Sequence, residues 1–347
     1  MRHFRIAFLF FVASLCYAPL SAQSFSIEDR DGNRLYFNVL DKEKRTVEMT
    51  RDHEADTCYD ISGSLTIPKA VLHDGIYYNV VSLGKNALEG TVELQTVVLP
   101  STIVKISEEA FSGCVSLENV YMPAHNVKIS HSAFASCVSL KNIQLGNEWT
   151  LIDCHPFAEC TSLDSLYVPA KVSTILGLNE LRSLKSISVE MANEHLSSFD
   201  GILFNKAKTE LLYCPISYNL KLTIPEGTEV VRNGAICNCL WLESITLPES
   251  LKSLSFIEFS NMRNLKSITM LSKRPILNSM KDERKGFALY VSGNVNLYVD
   301  KSSLKEYRDS VMSDEGLYVD LFTGKIRKCK SINLINISNI ETIKRYK

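Results

Sequence analysis

No excess of either charge marks this chain: 38 Lys and Arg stand against 39 Asp and Glu, a formal net charge of −1 over 347 residues. That balance excludes the broad positive field by which proteins collect nucleic acid or an anionic membrane surface. A Gly-rich phosphate loop and a nucleophile elbow are both missing, which removes two familiar routes to catalysis. After residue 22 no apolar run is long enough to cross a bilayer. Of the ten cysteines, Cys16 lies in the leader described next, and the odd number left cannot complete a disulfide framework.

What is present begins with a leader. Arg2, His3 and Arg5 make a basic start, Ile6 to Tyr17 is an apolar run, and Leu20-Ser21-Ala22 offers small residues before Gln23. This pattern predicts a signal peptide over residues 1–22, cleaved after Ala22, and so an exported protein, secreted or held at the cell surface. Leu15 stands where a lipobox beside Cys16 needs Gly or Ala.

Beyond the leader one spacing dominates. Leu94, Leu117, Leu140 and Leu163 stand 23 residues apart, and after Leu184 the step returns between Leu242 and Leu265. Leu83, Ile106, Ile129 and Ile152 keep it too, as do Leu88, Phe111, Phe134 and Phe157, each column resuming later at Val231 and Leu254 or at Ile236 and Phe259. Such a period means units that bury their apolar faces only by stacking on their neighbours. In one copy, Asn119-Val120-Tyr121-Met122-Pro123 alternates like a short strand with Val120 and Met122 inward. Ser107 to Cys114 carries apolar residues at Ala110, Phe111 and Cys114, which suits a short helical or 3₁₀ segment buried on one side. The predicted fold is an α/β repeat solenoid of about eight turns, with a parallel strand face and short helical segments opposite.

Cys114, Cys137, Cys160 and Cys239 share a column with Thr91 and Met262, so packed thiols are expected there rather than disulfides. The division expected is a β-rich N-terminal cap over 23–62, a solenoid over 63–273, and a C-terminal cap or irregular segment over 274–347. Asp74-Gly75 and the run from Gly201 to Tyr213 mark hairpin insertions near 70–80 and 200–213.

These columns resemble the BspA-like class of bacterial leucine-rich repeat proteins, the copy from Ile106 to Pro123 most plainly. Asp74 to Gly84 resembles the entry to such arrays, and Val295 to Tyr307 their closing segment. Gly146 departs from the pattern where other copies place Pro, and the Leu184 copy lacks the Phe and Cys. The resemblance implies a secreted or surface-exposed protein, in a family with several adhesins, and supplies no catalytic residue.

The outward strand positions are the candidate binding residues: Tyr121, Gln144 and Tyr167 in one ladder, Asn119 and Asn142 in a second, Glu118, Lys141 and Asp164 in a third. Exposed tyrosines two turns apart can stack on a sugar or anchor a protein loop. The same residues also suit a plain solvated strand face. Two other groupings carry reactive or metal-binding residue types. Asp153-Cys154-His155 suggests a Cys–His nucleophile, but consecutive residues rarely converge into a triad. Glu108, His131 and Cys154 share a column and should stack on the outer edge, where a straight column does not enclose a metal. Asp164-Ser165-Leu166 and Asp309-Ser310-Val311 resemble a short bacterial O-glycosylation signal.

The sequence therefore predicts a non-enzymatic, monomeric binding protein with no cofactor, no metal and no nucleic acid, whose partner is an extracellular protein or glycan. A carbohydrate-binding protein of a nutrient-uptake system is the first alternative. An enzyme with its site in the insertions or after Arg274 is the second.

Overall fold

The computed structural model describes residues 24–51, 59–236, 238–254, 262–273, 295–303, 317–319, 326–328 and 332–336. The leader, Phe259, Cys58, Cys237, Cys329 and Asp309-Ser310-Val311 lie outside them.

Each turn of the chain contributes to two parallel ladders. The front ladder begins with β4 (Gly63–Thr66), β7 (Leu94–Val98), β9 (Asn119–Tyr121) and β11 (Asn142–Gln144). It continues with β13 (Ser165–Val168) and β15 (Ser186–Val189), then with β19 (Lys221–Thr223), β21 (Ser244–Leu247), β22 (Ser267–Met270), β23 (Val295–Val299) and β26 (Ile332–Asn336). Asn142 pairs with Asn119 and Ser267 with Ser244, so equivalent residues lie side by side. Alternation sets the facing: Leu166 and Val168 are buried while Ser165 and Tyr167 are exposed.

The side ladder was not foreseen in the sequence. It holds β6 (Ile76–Leu83), β8 (Lys105–Ile106) and β10 (Lys128–Ile129), then β12 (Leu151–Asp153) with β14 (Thr174–Leu176). Beyond the long β6, whose end is Leu83, the strands β8, β10 and β12 are the column residues Ile106, Ile129 and Ile152 with one or two neighbours each; of Leu83, Ile106, Ile129 and Ile152, only Ile129 is half-buried.

The segments opposite the front ladder correct the expected helices. Only His155–Phe157 and Leu178–Glu180 form 3₁₀ turns there among the described residues. Elsewhere the chain makes overlapping β-turns: Ala87 N–H donates to Gly84 O, Glu89 to Asn86 O and Thr91 to Leu88 O. Asn86, Glu109 and Ser132 are left-handed at φ 57–59°, and so are Gly90, Gly113, Ser136 and Glu159 at 59–71°, two to a turn except in the last, which has Glu159 alone. Left-handed residues cannot continue a helix. The freed amides reach the next turn instead, Leu88 N–H to Ala110 O at 2.7 Å and Phe111 N–H to Ala133 O at 2.8 Å.

Inside, Phe134 stacks on Phe111 at 4.8 Å between ring centroids and on Phe157 at 5.0 Å. The column thiols are buried and form no disulfide; Cys114 donates to Leu88 O, Cys137 to Phe111 O and Cys160 to Phe134 O of the preceding turn, at 3.1–3.3 Å.

At the N-terminal end β1 (Ser24–Glu28), β2 (Arg34–Asp41) and β3 (Thr46–Thr50) form an antiparallel meander, joined through β3 to β6. β5 (Ala70–His73) folds back on β6 through Asp74 and Gly75, both left-handed as a type I′ hairpin requires. Between β15 and β19 the chain inserts β16 (Leu196–Phe199), β17 (Ile202–Asn205) and β18 (Glu210–Tyr213), of which β18 rejoins the side ladder through β20 (Val230–Val231). The core divides at this insertion: Leu203 packs in the N-terminal cluster, and Ile202 and Phe204 pack in the C-terminal one.

Candidate functional site

The eight candidate residues sit on three neighbouring front strands and the turns leading into them. Asn119 and Tyr121 are on β9, Asn142 and Gln144 on β11, Tyr167 on β13; Glu118, Lys141 and Asp164 immediately precede these strands. Six of them (Asn119, Tyr121, Lys141, Asn142, Gln144 and Tyr167) line one depression of about 360 Å³, together with Ser165 and an apolar floor of Val120, Ile143, Leu163 and Leu166. Glu118 and Asp164 lie outside its lining.

The polar groups are arranged turn against turn. Asn142 Nδ2 donates to Asn119 Oδ1 at 2.9 Å, and Lys141 Nζ pairs with Glu118 Oε1 at 3.0 Å. Asp164 pairs instead with Lys185, at 3.3 Å. These exposed pairs contribute little stability, but the first leaves the Lys141 side of the depression without net charge. Tyr121 is 41% exposed and Tyr167 51%. Partial burial, and after it the Glu190 carboxylate beside its hydroxyl, raise the Tyr167 phenol above its ordinary value. It therefore stays a neutral hydroxyl across the physiological range.

The depression lies where the sheet opens. No pairing joins β11 to β13, and on the side ladder none joins β10 to β12, among the described residues. The front bonds that Asn142 N–H makes to Glu118 O and Ser186 N–H to Asp164 O have no counterpart from Ser165 to Lys141. Met122 N–H donates to Gln144 O, but Leu145 N–H has no equivalent bond to Tyr167 O. The third side stays closed: Phe134 N–H reaches Pro156 O at 3.0 Å, Ser136 N–H reaches Ala158 O at 3.2 Å, and the Phe134–Phe157 stack is intact. The solenoid is thus spread at this one step on two sides, with the Phe stack as its pivot.

Two residues coincide with the opening. At Gly146 a Cβ would fall 2.2 Å from Ala124 Cα, so only glycine allows this close approach to the preceding turn. Trp149 stands in the column of Ile103, Val172 and Leu251, buried, with its Nε1–H donating to Pro123 O at 2.9 Å. Both tie the Gly146 turn to the turn before it rather than to the one after. The sequence signal was the missing strand-ending Pro.

The other groupings come apart. Cys154 is 1% exposed, not stacked on the outer edge with Glu108 and His131, which are exposed. Pro156 tightens this turn into the 3₁₀ segment His155–Phe157, and Cys154, at its start, is turned inward. Burial, with a smaller contribution from Asp153, pushes its thiol up to about 12, so it is no nucleophile at neutral pH. His155 Nδ1 and Asp153 Oδ1 form an exposed pair at 2.6 Å. Among the described residues no three His, Cys, Asp or Glu side chains cluster to hold a metal, and no helix is long and apolar enough to cross a membrane.

Two ladders of parallel strands, a stacked aromatic column and turns that bond to their neighbours define a leucine-rich repeat solenoid. The chain belongs to the BspA type leucine rich repeat family, whose model matches in six copies over residues 76–208 and 213–282. No curated protein matches it. Similar solved structures include the pneumococcal vaccine antigen PcpA, 19% identical with a TM-score of 0.44, over 90% of this chain and 98% of that one. A leucine rich cell surface protein from Faecalibacterium prausnitzii is 19% identical with a TM-score of 0.38, over 90% and 94%. A leucine-rich repeat protein from Eubacterium ventriosum is 15% identical with a TM-score of 0.43, over 81% and 82%.

Proposed function

We propose that this chain is an exported, non-enzymatic binding protein that mediates adhesion or protein interaction at the cell surface, meeting its partner on the front strand face around Tyr121, Gln144 and Tyr167. The observation that carries this reading is the gathering of six outward side chains from three turns into one polar, aromatic-flanked depression on a rigid scaffold. Family membership supports a binding role, and the basic and apolar leader over residues 1–22 supports export. The buried, neutral thiol of Cys154 argues against the one nucleophile the sequence suggested.

The test is retention of the purified protein on immobilised extracellular-matrix proteins and glycans, beside a Tyr121→Ala/Tyr167→Ala variant. Binding by the parent that the folded variant loses is expected. Binding that survives the double substitution would move the site off the strand face.

A further inference from the structure

We propose that the open step between β11 and β13 is a binding slot for a neutral oligosaccharide; this rests on the strand-face reading above and names the chemistry of its ligand. Three features of the slot point the same way.

The first is the hydrogen-bonding inventory. Asn142 and Gln144 each offer an amide that donates and accepts, and Ser165 and the two phenols add hydroxyls. The missing rungs add main-chain groups at the slot: Ser165 N–H faces the β11 side without its Lys141 O partner, and Leu145 N–H and Tyr167 O are likewise not joined. Donors and acceptors therefore alternate over a small area, as the hydroxyls of a sugar do. Where the paired steps of this ladder spend those groups on the next strand, this one leaves them to solvent or ligand.

The second feature is charge. Lys141 is the one ionisable side chain beside these amides and phenols in the lining, and Glu118 holds it at 3.0 Å. The pair cancels, and the Glu190 carboxylate beside the Tyr167 hydroxyl, outside the lining, accepts from Ala170 N–H at 2.9 Å, so an anionic ligand finds no unpaired counter-charge in the lining. A protein partner of ordinary kind anchors through aromatic or Arg side chains in dry pockets or through complementary charge, and this depression offers shallow polar cover instead.

The third feature is shape. The Tyr121 and Tyr167 side chains stand on β9 and β13, on opposite sides of the β11 strand that carries Gln144. A sugar ring presents a flat C–H face that packs on a phenol, and two tyrosines separated by a strand suit a chain of several residues more than a monosaccharide. The volume, about 360 Å³, lies in the roughly 300–1,000 Å³ range of ligand clefts.

The decisive experiment is equilibrium binding of the purified protein to maltotetraose, xylotetraose, cellotetraose and chitotetraose. Neutral mucin-type O-glycans, their sialylated forms and a set of extracellular-matrix proteins run in parallel. At least one neutral glycan should bind. Tyr121→Ala/Tyr167→Ala should weaken it at least tenfold, and Gln144→Ala should weaken it measurably. Thr246→Ala/Thr269→Ala, at the same outward positions on the closed step between β21 and β22, should leave it unchanged. Thermal midpoints check that each variant folds, and the exposed Gln144 gives a readout that does not depend on the tyrosines.

No binding by any neutral glycan, binding only of the sialylated forms, or binding equally sensitive to the Thr246 and Thr269 changes would overturn the proposal. Matrix proteins bound through Tyr121 and Tyr167 with no glycan bound would sink the slot and keep the strand-face reading. Loss of every interaction, protein and glycan alike, would sink both.

Discussion

At the residue scale, inward and outward side chains of the solenoid do different work. Phe134 is fully buried between Phe111 and Phe157, whereas Tyr121 projects from the front face. Phe134→Ala should therefore cost about 3–5 kcal/mol by chemical denaturation, and Tyr121→Ser under about 1 kcal/mol, as a surface change. Equal losses would mean the facing is misread. The cysteines make a second prediction. Burial raises the thiols of Cys154 and Cys160 from 9.0 to about 12. In the unfolded chain they ionise near their ordinary value, so between those limits the unfolded state holds fewer protons. Stability is then fully present below about pH 9 and falls as pH climbs toward 12. A Cys154→Ala/Cys160→Ala variant should lose less stability than the parent between about pH 9 and 11. Parallel curves for the two proteins would contradict this.

At the element scale, single polar residues fix the turns that join strands. Asn193 is fully buried after β15; its amide donates to Pro169 O and Val172 O and accepts from the His195 and Leu196 amides, all at 2.8–2.9 Å. Its removal leaves four backbone groups without that partner, three of them buried and the His195 N–H part-buried. Asn193→Ala should cost about 2–4 kcal/mol in an equilibrium urea titration, at roughly 1 kcal/mol per net hydrogen bond; a change under about 0.5 kcal/mol would show that solvent reaches those groups.

Elements were unevenly legible in the sequence. The front strands announced themselves because alternation and the column period agree at Val120, Leu166 and Ile245. The side ladder did not, because one apolar residue per turn, such as Ile106, carries no alternation. The turns opposite the front ladder read as helical because Ala110, Phe111 and Cys114 have helical spacing, and nothing in the composition disclosed that Glu109 and Ser132 are left-handed. The candidate site was half legible. The outward side chains followed from alternation, while the open step depends on Gly146 and Trp149 acting across turns. Gly146 stood out only as a missing Pro.

At the scale of the whole molecule, the stack is interrupted twice, by different means. The spread step at β11 and β13 breaks both ladders and keeps one continuous core. The insertion of β16, β17 and β18 leaves β15 unpaired with β19 and β14 unpaired with β18 among the described residues, and it divides the core as well: β17 sends Leu203 to one cluster and Ile202 and Phe204 to the other. In a solenoid each turn contacts only its neighbours, so stability is transmitted locally. Hydrogen exchange should report this division: Leu203→Ala should loosen amides N-terminal to the insertion, and Phe204→Ala those C-terminal to it. Uniform loss of protection from either substitution would mean the two clusters unfold as one unit.

The claim that the front face is where this protein binds is tested most directly by comparing two double variants on whichever partner the purified protein retains. Tyr121→Ala/Tyr167→Ala alters the front face. Val115→Ala/Val138→Ala alters an exposed apolar column in the turns that lead into the front strands, 40% exposed at both positions. The account predicts that the first loses at least tenfold in affinity and the second binds like the parent. The opposite ranking, with both variants folded, would place the interaction on the turns before the front strands and contradict it.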